Sequence, residues 1–452
     1  MKIRKVLASS VARLDSSVDT GGGTDDTAAL QAVLDEAKDE NCGVWLVMDG
    51  AALITGLDVY SDTTIECLSR SCGFYQRDNA DRAVIAGAEW DFGARKTRNV
   101  TLIGGTYNQN CLRQVHDRPA RDEKEKMWFP GGKWIFGIEF YGVEYLTIRD
   151  LTLRDFRTFG VTIGNFKHVD IENVWLDLPD HMDGNQDGFH FWGPGQFLNV
   201  KNVGGTVGDD FMNLGPDERD GCSDITDVLV DGVMLEHADQ AIRLLSWGTG
   251  VLDRVTIRNV TGTYTTFGFY INSWDCPRRP LTYGDFRNIL IENVDLRAET
   301  PVYDYHQPFL FSVGGNIECL TVKNLRHHDP ADPRPLFELG LPYADTECKL
   351  PADNYPKFRN LIVDGLTILE NSASAKKADY IQIFERVDHL ALRNVYVSRD
   401  PSTPPDGHLI AFRKDGALGM LDMNDVRADG FLSLVDGEER IDRVCAVNVT
   451  AE

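Results

Sequence analysis

The sequence lacks a long apolar run, a paired-cysteine motif and any excess of basic residues. Nowhere in its 452 residues are there the roughly 18 consecutive apolar side chains that a membrane helix needs. The chain carries 46 basic and 70 acidic side chains, a net charge of −24, and such a surface disfavours nucleic acid and anionic membranes as partners. With 42% hydrophobic residues, we expect a soluble globular protein rather than a disordered acidic chain.

The cysteines and the N-terminus bear on the compartment. The nine cysteines are scattered, without the spacing of a zinc site or a disulfide framework, which favours free thiols in a reducing compartment. The basic opening, residues 1–5, is followed only by a short apolar stretch broken by Ser9 and Ser10 and closed by Arg13. We do not read it as an export signal, and we expect a cytoplasmic protein. A secreted protein whose leader has been removed is the alternative.

Helical periodicity is nearly absent after residue 40, and a strand-like repeat takes its place. The repeat alternates apolar residues, then places Asn or Asp, then another apolar pair, as in LTIRDLTL from Leu146 and ILIENVDL from Ile289. It recurs at spacings of 23 to 34 residues and one of 40, counted along the sequence. Alternation predicts strands, and Asn or Asp at a fixed place predicts a turn. The polar position falls at Asp150, Asn173, Asn202, Asp231, Asn259, Asn293, Asn324, Asp364 and Asn394.

A short strand unit that repeats every 20 to 40 residues cannot bury its apolar face alone, so it must stack on its neighbours as a solenoid. Before the repeats, residues 28–38 have one apolar helical face, with Thr24 or Asp25 as N-cap, and predict a helix that caps the solenoid. We therefore expect an N-terminal cap over residues 1–44 and one β-solenoid over 45–452. Long insertions between coils are predicted at 111–134, 272–287, 300–308, 329–357 and 399–407.

A second strand series runs in phase with the first, as in GIEFYG from Gly137 and GFHFWG from Gly188. Its apolar pairs should point into the solenoid. One predicted inward position is occupied by Asn213, which could form part of a ladder of polar side chains inside the solenoid. The residues between the pairs should share one outward row, with successive coils about 4.8 Å apart. The predicted inward pairs are Ile138/Phe140, Val161/Ile163, Phe189/Phe191, Ile242/Leu244 and Phe269/Ile271, and the predicted outward row is Glu139, Thr162, His190, Met212, Arg243 and Tyr270.

Two acidic turns precede consecutive strands of this second series. Alignment of the strands places Asp187 over Asp209 and Gly188 over Asp210, 22 residues and one coil apart. Three carboxyl groups this close raise the pKa of at least one of them, which lets one act as an acid while another stays ionised. Glycosidic hydrolysis needs this combination. A bend at the glycines would let all three face out, and the alternative is three solvated turn aspartates.

The outward row adds groups suited to sugar recognition. Trp192 suits stacking on a sugar ring, and His190 and Arg243 can donate to hydroxyl or carboxylate groups. Each has an ordinary alternative: Trp192 and Tyr270 packed under a loop, His190 a surface histidine, Arg243 paired with an aspartate. Three more side chains lie near these turns in sequence, with no readable orientation: His181, Asp183 and His237.

These residues resemble the polygalacturonase family of glycoside hydrolases, within the pectin-lyase-like superfamily of right-handed parallel β-helices. The N-terminal Gly-Gly-Thr-Asp-Asp-Thr-Ala-Ala-Leu-Gln is similar to the superfamily's opening segment, and the specific match covers residues 185–214. The family's Asn-x-Asp-Gly turn, followed one coil later by Gly-Asp-Asp, corresponds to residues 185–188 and 208–210. The resemblance implies an all-β, right-handed parallel β-helix and an inverting glycosidase without a cofactor or metal. It assigns Asp209 as general acid and Asp187 and Asp210 as the pair that holds the attacking water.

Two departures bear on the substrate, which we expect to be a plant or microbial oligo- or polysaccharide. The family's Gly-His-Gly motif is replaced by residues around His237 and Arg243, and its Arg-Ile-Lys motif is absent. Both departures disfavour galacturonate and favour a neutral or deoxy sugar, and the insertions favour exo action. Two alternatives remain: a lyase or transferase, with Arg243 as the lyase's base and aspartate-bound Ca²⁺, or a non-catalytic carbohydrate-binding β-helix. The sequence does not specify the oligomeric state.

Overall fold

The computed structural model describes residues 2–39, 41–179, 184–246, 248–273, 283–300, 308–328, 334–340, 357–369 and 379–451. The chain divides into two compact units, Met1–Met212 (unit 1) and Asn213–Glu452 (unit 2). Within the described residues, no helix is long and apolar enough to cross a membrane. Among the described cysteines, Cys67, Cys72 and Cys111 are buried, whereas Cys222 is exposed.

The described residues of unit 1 form short strands almost entirely, with two α-helices. The helices are α1 (Thr27–Leu34) and α2 (Glu123–Trp128), with 3-10 turns at Ala8–Ser10, Asp35–Lys38 and Cys111–Arg113. The strands are β1 (Lys2–Leu7), β2 (Cys42–Met48), β3 (Ala51–Ile54), β4 (Leu57–Val59), β5 (Thr63–Cys67), β6 (Gly73–Gln76), β7 (Ile85–Gly87), β8 (Thr97–Ile103), β9 (Thr106–Asn108), β10 (Asp117–Arg118), β11 (Lys133–Trp134), β12 (Ile138–Arg149), β13 (Thr152–Arg154), β14 (Val161–Glu172), β15 (Trp175–Asp177) and β16 (Phe189–Thr206).

The strands of unit 1 stack into three parallel ladders, one for each side of the coil. One ladder runs through β1, β2, β5, β8 and the C-terminal halves of β12, β14 and β16. The second runs through β3, β6, β9, β13 and β15 to the end of β16. The third, which carries the acidic turns, runs through β4, β7 and the N-terminal halves of β12, β14 and β16. This is the stacking predicted from the repeat.

Strand β17 (Asp210–Gly215) spans residue 213, where unit 2 begins, and the described part of unit 2 continues with long strands and a 3-10 turn at Glu438–Arg440. Its long strands form one parallel ladder, which the short strand β24 joins between β22 and β27, and the other shorter strands form another ladder. The long strands are β18 (Ile225–His237), β20 (Val251–Tyr264), β22 (Asp285–Ala298), β25 (Leu320–His328), β27 (Phe358–Leu369), β29 (Arg386–Ser398), β31 (Ala417–Asp429) and β33 (Ile441–Ala451). The shorter are β19 (Gln240–Leu245), β21 (Phe267–Asn272), β23 (Phe309–Val313), β24 (Asn316–Ile317), β26 (Phe337–Leu339), β28 (Ile381–Ile383), β30 (His408–Phe412) and β32 (Ser433–Asp436).

The core of each unit is the inside of its coils. All five predicted inward pairs are fully buried, from Ile138/Phe140 in unit 1 to Phe269/Ile271 in unit 2, and Asn213 is buried as well. Identical strand positions pack on one another, as shown by the stacked rings of Phe269 and Phe311, whose centroids are 4.6 Å apart. Burial of aliphatic and aromatic rows in register is the main stabilising contribution in such a stack.

The Asn and Asp positions form the predicted turns, with one correction. Asn173 lies in the left-handed region at φ 54°, where a short amide side chain is tolerated. Its Nδ2 donates to Asp150 Oδ1 on the preceding coil at 2.8 Å. The prediction was wrong by one residue at Asp231 and Asp364, because the left-handed residue there is the following glycine, Gly232 or Gly365.

The N-terminal helix is present, although its bounds differ from the prediction. It starts at Thr27 with Asp26 rather than Thr24 or Asp25 at the N-cap, and it tightens into a 3-10 turn from Asp35. The Asp26 carboxylate is used elsewhere, since it accepts backbone N–H groups of Arg13 and Leu14.

The insertion after β9 is an ordered element in its own right. Residues 111–136 contain a two-stranded antiparallel ribbon, β10 with β11, and helix α2 between them. The predicted insertion at 329–357 was wrong in part, because β26 lies within it and pairs with β23 and β28. The other parts of that insertion, and most of those at 272–287 and 300–308, lie outside the described residues.

Candidate active site

The two acidic turns lie on adjacent coils and are joined by backbone hydrogen bonds. Gly188 N donates to Asp210 O at 2.8 Å, and Asp209 N donates to Gln186 O at 3.3 Å. On the other side, Gly160 N donates to Asp187 O at 2.7 Å. The two acidic turns therefore lie on adjacent coils, as predicted. The predicted alignment was one residue off at Gly188, because its bond to Asp210 O, in the register that pairs Val161 with Phe189, places Gly188 beside Phe211 rather than beside Asp210.

Local backbone requirements explain the residues between the aspartates. A Cβ at Gly188 would approach Leu176 Cδ1 to 2.5 Å and Phe211 O to 2.6 Å, so only glycine allows the coils to approach this closely. Asn185 has a left-handed φ of 65°, and its backbone N donates to Asp209 Oδ2 at 2.8 Å. The turn thus supplies a main-chain donor that holds one oxygen of the Asp209 carboxyl group.

Asp187 and His190 form a buried pair. His190 Nδ1 lies 2.6 Å from Asp187 Oδ2, and the two residues are only 2% and 3% exposed. The imidazole is further fixed by the Phe159 ring, which stacks on it at a centroid distance of 4.0 Å. A buried carboxylate needs such a partner, and the pair excludes the alternative of a solvated turn aspartate for Asp187.

The other two carboxyl groups differ in exposure. Asp210, the first residue of β17, is 1% exposed, whereas Asp209 is only half-buried. Asp209 is therefore the most accessible of the three. Among the described residues, no group of three or more His, Cys, Asp or Glu side chains is arranged to hold a metal ion.

The outward row is aligned as predicted from Glu139 through Thr162 to His190, but its predicted exposure was wrong. Met212, predicted in the same row, is fully buried, and no strand pairing places it beside His190 among the described residues. Strand pairing places Glu139 beside Thr162 and Thr162 beside His190. Thr162, His190 and Trp192 are nevertheless buried, because the insertion at 111–136 contributes rings that cover this part of the row. The covering aromatic cluster consists of Phe92, Phe129, Phe136, Tyr141, Phe159 and Trp192.

Trp192 therefore has no exposed face for a sugar ring. It is fully buried and stacks on Tyr141, with ring centroids 5.7 Å apart at an interplanar angle of 14°. The alternative of a tryptophan packed under a loop is the correct one. His190 also has no solvent-facing edge, and its role is to hold Asp187 rather than to contact a sugar from an open surface.

The remaining predicted residues belong to unit 2. Arg243 and Tyr270 are partners on adjacent strands, and the guanidinium carbon lies 5.8 Å from the ring centroid. Tyr270 is 4% exposed, packed with Phe267 and Phe309, and burial raises its pKa. Arg243 is half-buried, and His237 is half-buried at the end of β18. His181 and Asp183 lie outside the described residues.

Sequence reasoning missed the contribution of the insertion to this site. Phe159, which stacks on His190, was not singled out, and neither was Lys133, whose ammonium lies 3.8 Å from the centroid of Phe136. The density of aromatic residues between Trp128 and Phe136 was the available signal. An insertion with this many aromatic rings is expected to pack against the solenoid, and here it covers the outward row beside the acidic turns.

No protein-family model matches the sequence, and no curated protein matches it. Solved structures do match. The hyperthermoactive exopolygalacturonase of Thermotoga maritima is 14% identical over 99% of this chain and 92% of its own, with a TM-score of 0.50. The catalytic domain of a GH87 alpha-1,3-glucanase in complex with nigerose is 13% identical over 99% of this chain and 68% of its own, with a TM-score of 0.52.

A third structure is a double mutant of the tailspike protein of E. coli bacteriophage HK620 in complex with a pentasaccharide. It is 11% identical over 95% of this chain and 77% of its own, with a TM-score of 0.56. Identities this low show the fold alone. That fold is the predicted one: the chain is a right-handed parallel β-helix with a short N-terminal helix.

Proposed function

We propose that this protein is a glycoside hydrolase that cleaves a glycosidic bond with inversion, using Asp209 as general acid and Asp187 with Asp210 to activate water. The observation that carries the proposal is the stacking of the two acidic turns on adjacent coils, with two buried carboxyl groups beside a more exposed one. Inverting hydrolysis needs one protonated carboxyl group at the leaving oxygen and one carboxylate at the water.

The environment of Asp187 suits the base. When Nδ1 of His190 carries the hydrogen, it donates to Asp187 Oδ2 across 2.6 Å and holds that oxygen in place. Stacking on Phe159 fixes the ring, so the carboxylate keeps one orientation. Asp187 and Asp210 together then accept a proton from the attacking water as its oxygen bonds to the anomeric carbon.

The environment of Asp209 suits the acid. A protonated carboxyl group retains an acceptor oxygen, so Oδ2 can accept the Asn185 N–H while Oδ1 carries the proton. This proton passes to the glycosidic oxygen as the bond to the anomeric carbon breaks, and the leaving sugar departs as an alcohol. Partial exposure leaves Asp209 accessible to a ligand.

Two lines support a carbohydrate substrate. The exopolygalacturonase, the glucanase bound to nigerose and the tailspike bound to a pentasaccharide share this fold. The residues 185–188 and 208–210 also match the turns of the polygalacturonase motif. The absent Arg-Ile-Lys and Gly-His-Gly motifs favour a neutral or deoxy sugar over galacturonate.

The test compares wild type and Asp209→Asn on a panel of synthetic glycosides and oligosaccharides, with and without chelator. We expect wild type to release a sugar and the substitution to lower the rate by at least about 100-fold, the usual contribution of a general acid. Reducing ends measure the rate, and proton NMR of the first product gives the anomer. Asp150→Asn is the matched control, because that exposed aspartate occupies a turn position that is Asn173 on the next coil.

Three results would contradict the proposal. Unsaturated products lost on chelation would identify a lyase. Binding without turnover, unchanged in Asp209→Asn, would identify a carbohydrate-binding β-helix. A first product with the starting anomeric configuration would rule out inversion.

A further inference from the structure

Unit 1 contains a polar cavity that lies away from the acidic turns. Its volume is about 200 Å³, below the roughly 300–1,000 Å³ of pockets for drug-sized ligands and suited to a single small ring. The insertion at 111–136 closes one side. The cavity combines aromatic with charged side chains, and those used below are Asp58, Tyr60, Arg82, Trp90, Lys133 and Glu139.

The floor of the cavity is one row of the solenoid. Strand pairing places Asp58 beside Ala86 and Ala86 beside Glu139, so the three occupy one position on successive coils. The middle residue is small, and its neighbours on both coils carry carboxylates. Because Ala86 leaves the row unfilled at that coil, there is room between the two acids.

The insertion forms one rigid side of the cavity. Glu125 is 2% exposed and accepts two bonds of 2.7 Å from Arg118, and Arg121 also donates to it. Although burial alone would raise its pKa, these donors lower the pKa of Glu125 to about 2. Helix α2 is capped by Asp122, which accepts the Glu125 N–H at 2.8 Å. Because these bonds fix the Glu125 carboxylate, this side of the cavity is ordered before any ligand binds.

The charges that line the cavity are balanced. Lys133 donates to Glu139 Oε2 at 2.5 Å, while its ammonium lies against Phe129 and Phe136. Arg82 donates to Asp58 Oδ1, also at 2.5 Å. With Arg121 beside Glu125, three cations face three carboxylates, and the lining offers donors and acceptors without a net charge.

We propose that this cavity binds one neutral sugar ring, independently of the acidic turns. Paired charged groups offer hydroxyls both donors and acceptors of strong hydrogen bonds. The rings of Tyr60 and Trp90, each with a lysine ammonium over one face, add aromatic surface for the C–H side of a sugar. A lining with equal numbers of cations and anions gives a carboxylated sugar no electrostatic advantage.

The cavity and the candidate active site share a row but are separate. Glu139 is two coils from His190, about 10 Å at the coil spacing. Between them lies Thr162, which is fully buried beside the aromatic cluster that includes Tyr141 and Trp192. A ligand in the cavity therefore reaches the catalytic aspartates only by passing over the covering insertion, and its binding does not depend on catalysis.

The test fills the cavity without removing any contact. Ala86→Leu places a side chain between Asp58 and Glu139, and Ala94→Leu adds the same bulk at an exposed position as the control. Methyl glycosides of glucose, galactose and rhamnose, with glucuronate and galacturonate for comparison, are titrated by calorimetry and saturation-transfer NMR. All proteins carry Asp209→Asn, so the outcome is independent of whether the enzyme hydrolyses them.

We expect a neutral glycoside to bind and Ala86→Leu to weaken it by about tenfold or more through steric exclusion, with Ala94→Leu unchanged. Tyr60→Ala, which removes one ring wall, should also weaken it and serves if Ala86→Leu fails to fold. No saturable binding of any neutral glycoside, binding by Ala86→Leu and Tyr60→Ala as tight as that of the Asp209→Asn parent, or binding of uronates alone would each overturn the proposal.

Discussion

Glu338 is a buried acid that the proposed mechanism does not use. It lies on strand β26, paired with Ser312 on one side and Gln382 on the other. Only 2% of the residue is exposed, and burial raises the pKa of its carboxyl group to about 8. The folded protein therefore holds this group protonated at pH values at which the unfolded chain has released the proton.

This difference makes stability depend on pH. Because the folded pKa exceeds the ordinary value of 4.5, the contribution is fully present below about pH 4.5 and is lost as pH rises to about 8. We expect Glu338→Gln to remove this loss, leaving the variant about 2–4 kcal/mol more stable than wild type at pH 8, since one pKa unit corresponds to about 1.4 kcal/mol. Urea unfolding at a series of pH values measures it.

Glu318→Gln, at an exposed position, is the control and should show the wild-type pH profile. Parallel profiles for wild type and Glu338→Gln would show that Glu338 ionises normally in the folded protein.

Residues near the acidic turns divide into those that the sequence could place and those that it could not. Asp187, Asp209 and Asp210 were placed correctly on adjacent coils, because a parallel stack converts spacing along the chain into register. The burial of His190 and Trp192 was not predictable in this way. Alternation separates the inside of a coil from the outside, but it does not indicate which outward positions an insertion will cover.

At the scale of the element, each coil depends on a turn in the left-handed region. Asn173 and Asn199 make the same kind of bond to the preceding coil, to Asp150 at 2.8 Å and to Asp170 at 2.9 Å. Only Asn173 has a positive φ. Asn173 also accepts a longer bond of 3.4 Å from Asn202 Nδ2, so the comparison of alanine with glycine at position 173 isolates the contribution of backbone conformation.

We expect Asn173→Ala to destabilise the protein by about 1–2 kcal/mol more than Asn199→Ala, since an alanine in the left-handed region is strained by that amount. Asn173→Gly should cost less than Asn173→Ala, because glycine adopts this conformation freely and occupies the equivalent turn at Gly232. The free energy of unfolding in urea measures all three. Equal losses for both alanine variants would place the whole effect in the hydrogen bond.

Insertions were the least predictable elements. The stretch at 111–134 was recognised as one, but its internal order comes from bonds such as Arg118 to Glu125 that no periodicity reveals. In 329–357, strand β26 is only three residues long, Phe337–Leu339, too short for alternation to be detected. Its position depends on pairing with β23 and β28, which is tertiary information.

At the scale of the whole molecule, the repeat predicted the fold because every coil repeats the same requirement to bury one apolar face. Stability in such a stack is close to a sum of nearest-neighbour terms, so strands that bury less surface should open more easily. In unit 2, β20 pairs with β18 and β22 over most of its length. By contrast, β33 pairs with β31, and its side chains are mostly exposed, including Val444 and Val447.

Hydrogen exchange should resolve this gradient. We expect backbone amides of β33 to exchange about 100-fold or more faster than those of β20, because local opening of β33 exposes little additional apolar surface and so has a lower free energy. Peptide-resolved mass spectrometry in native buffer measures both strands in one experiment. Equal protection would mean that unit 2 opens only as a whole, so that cooperativity rather than local burial sets its stability.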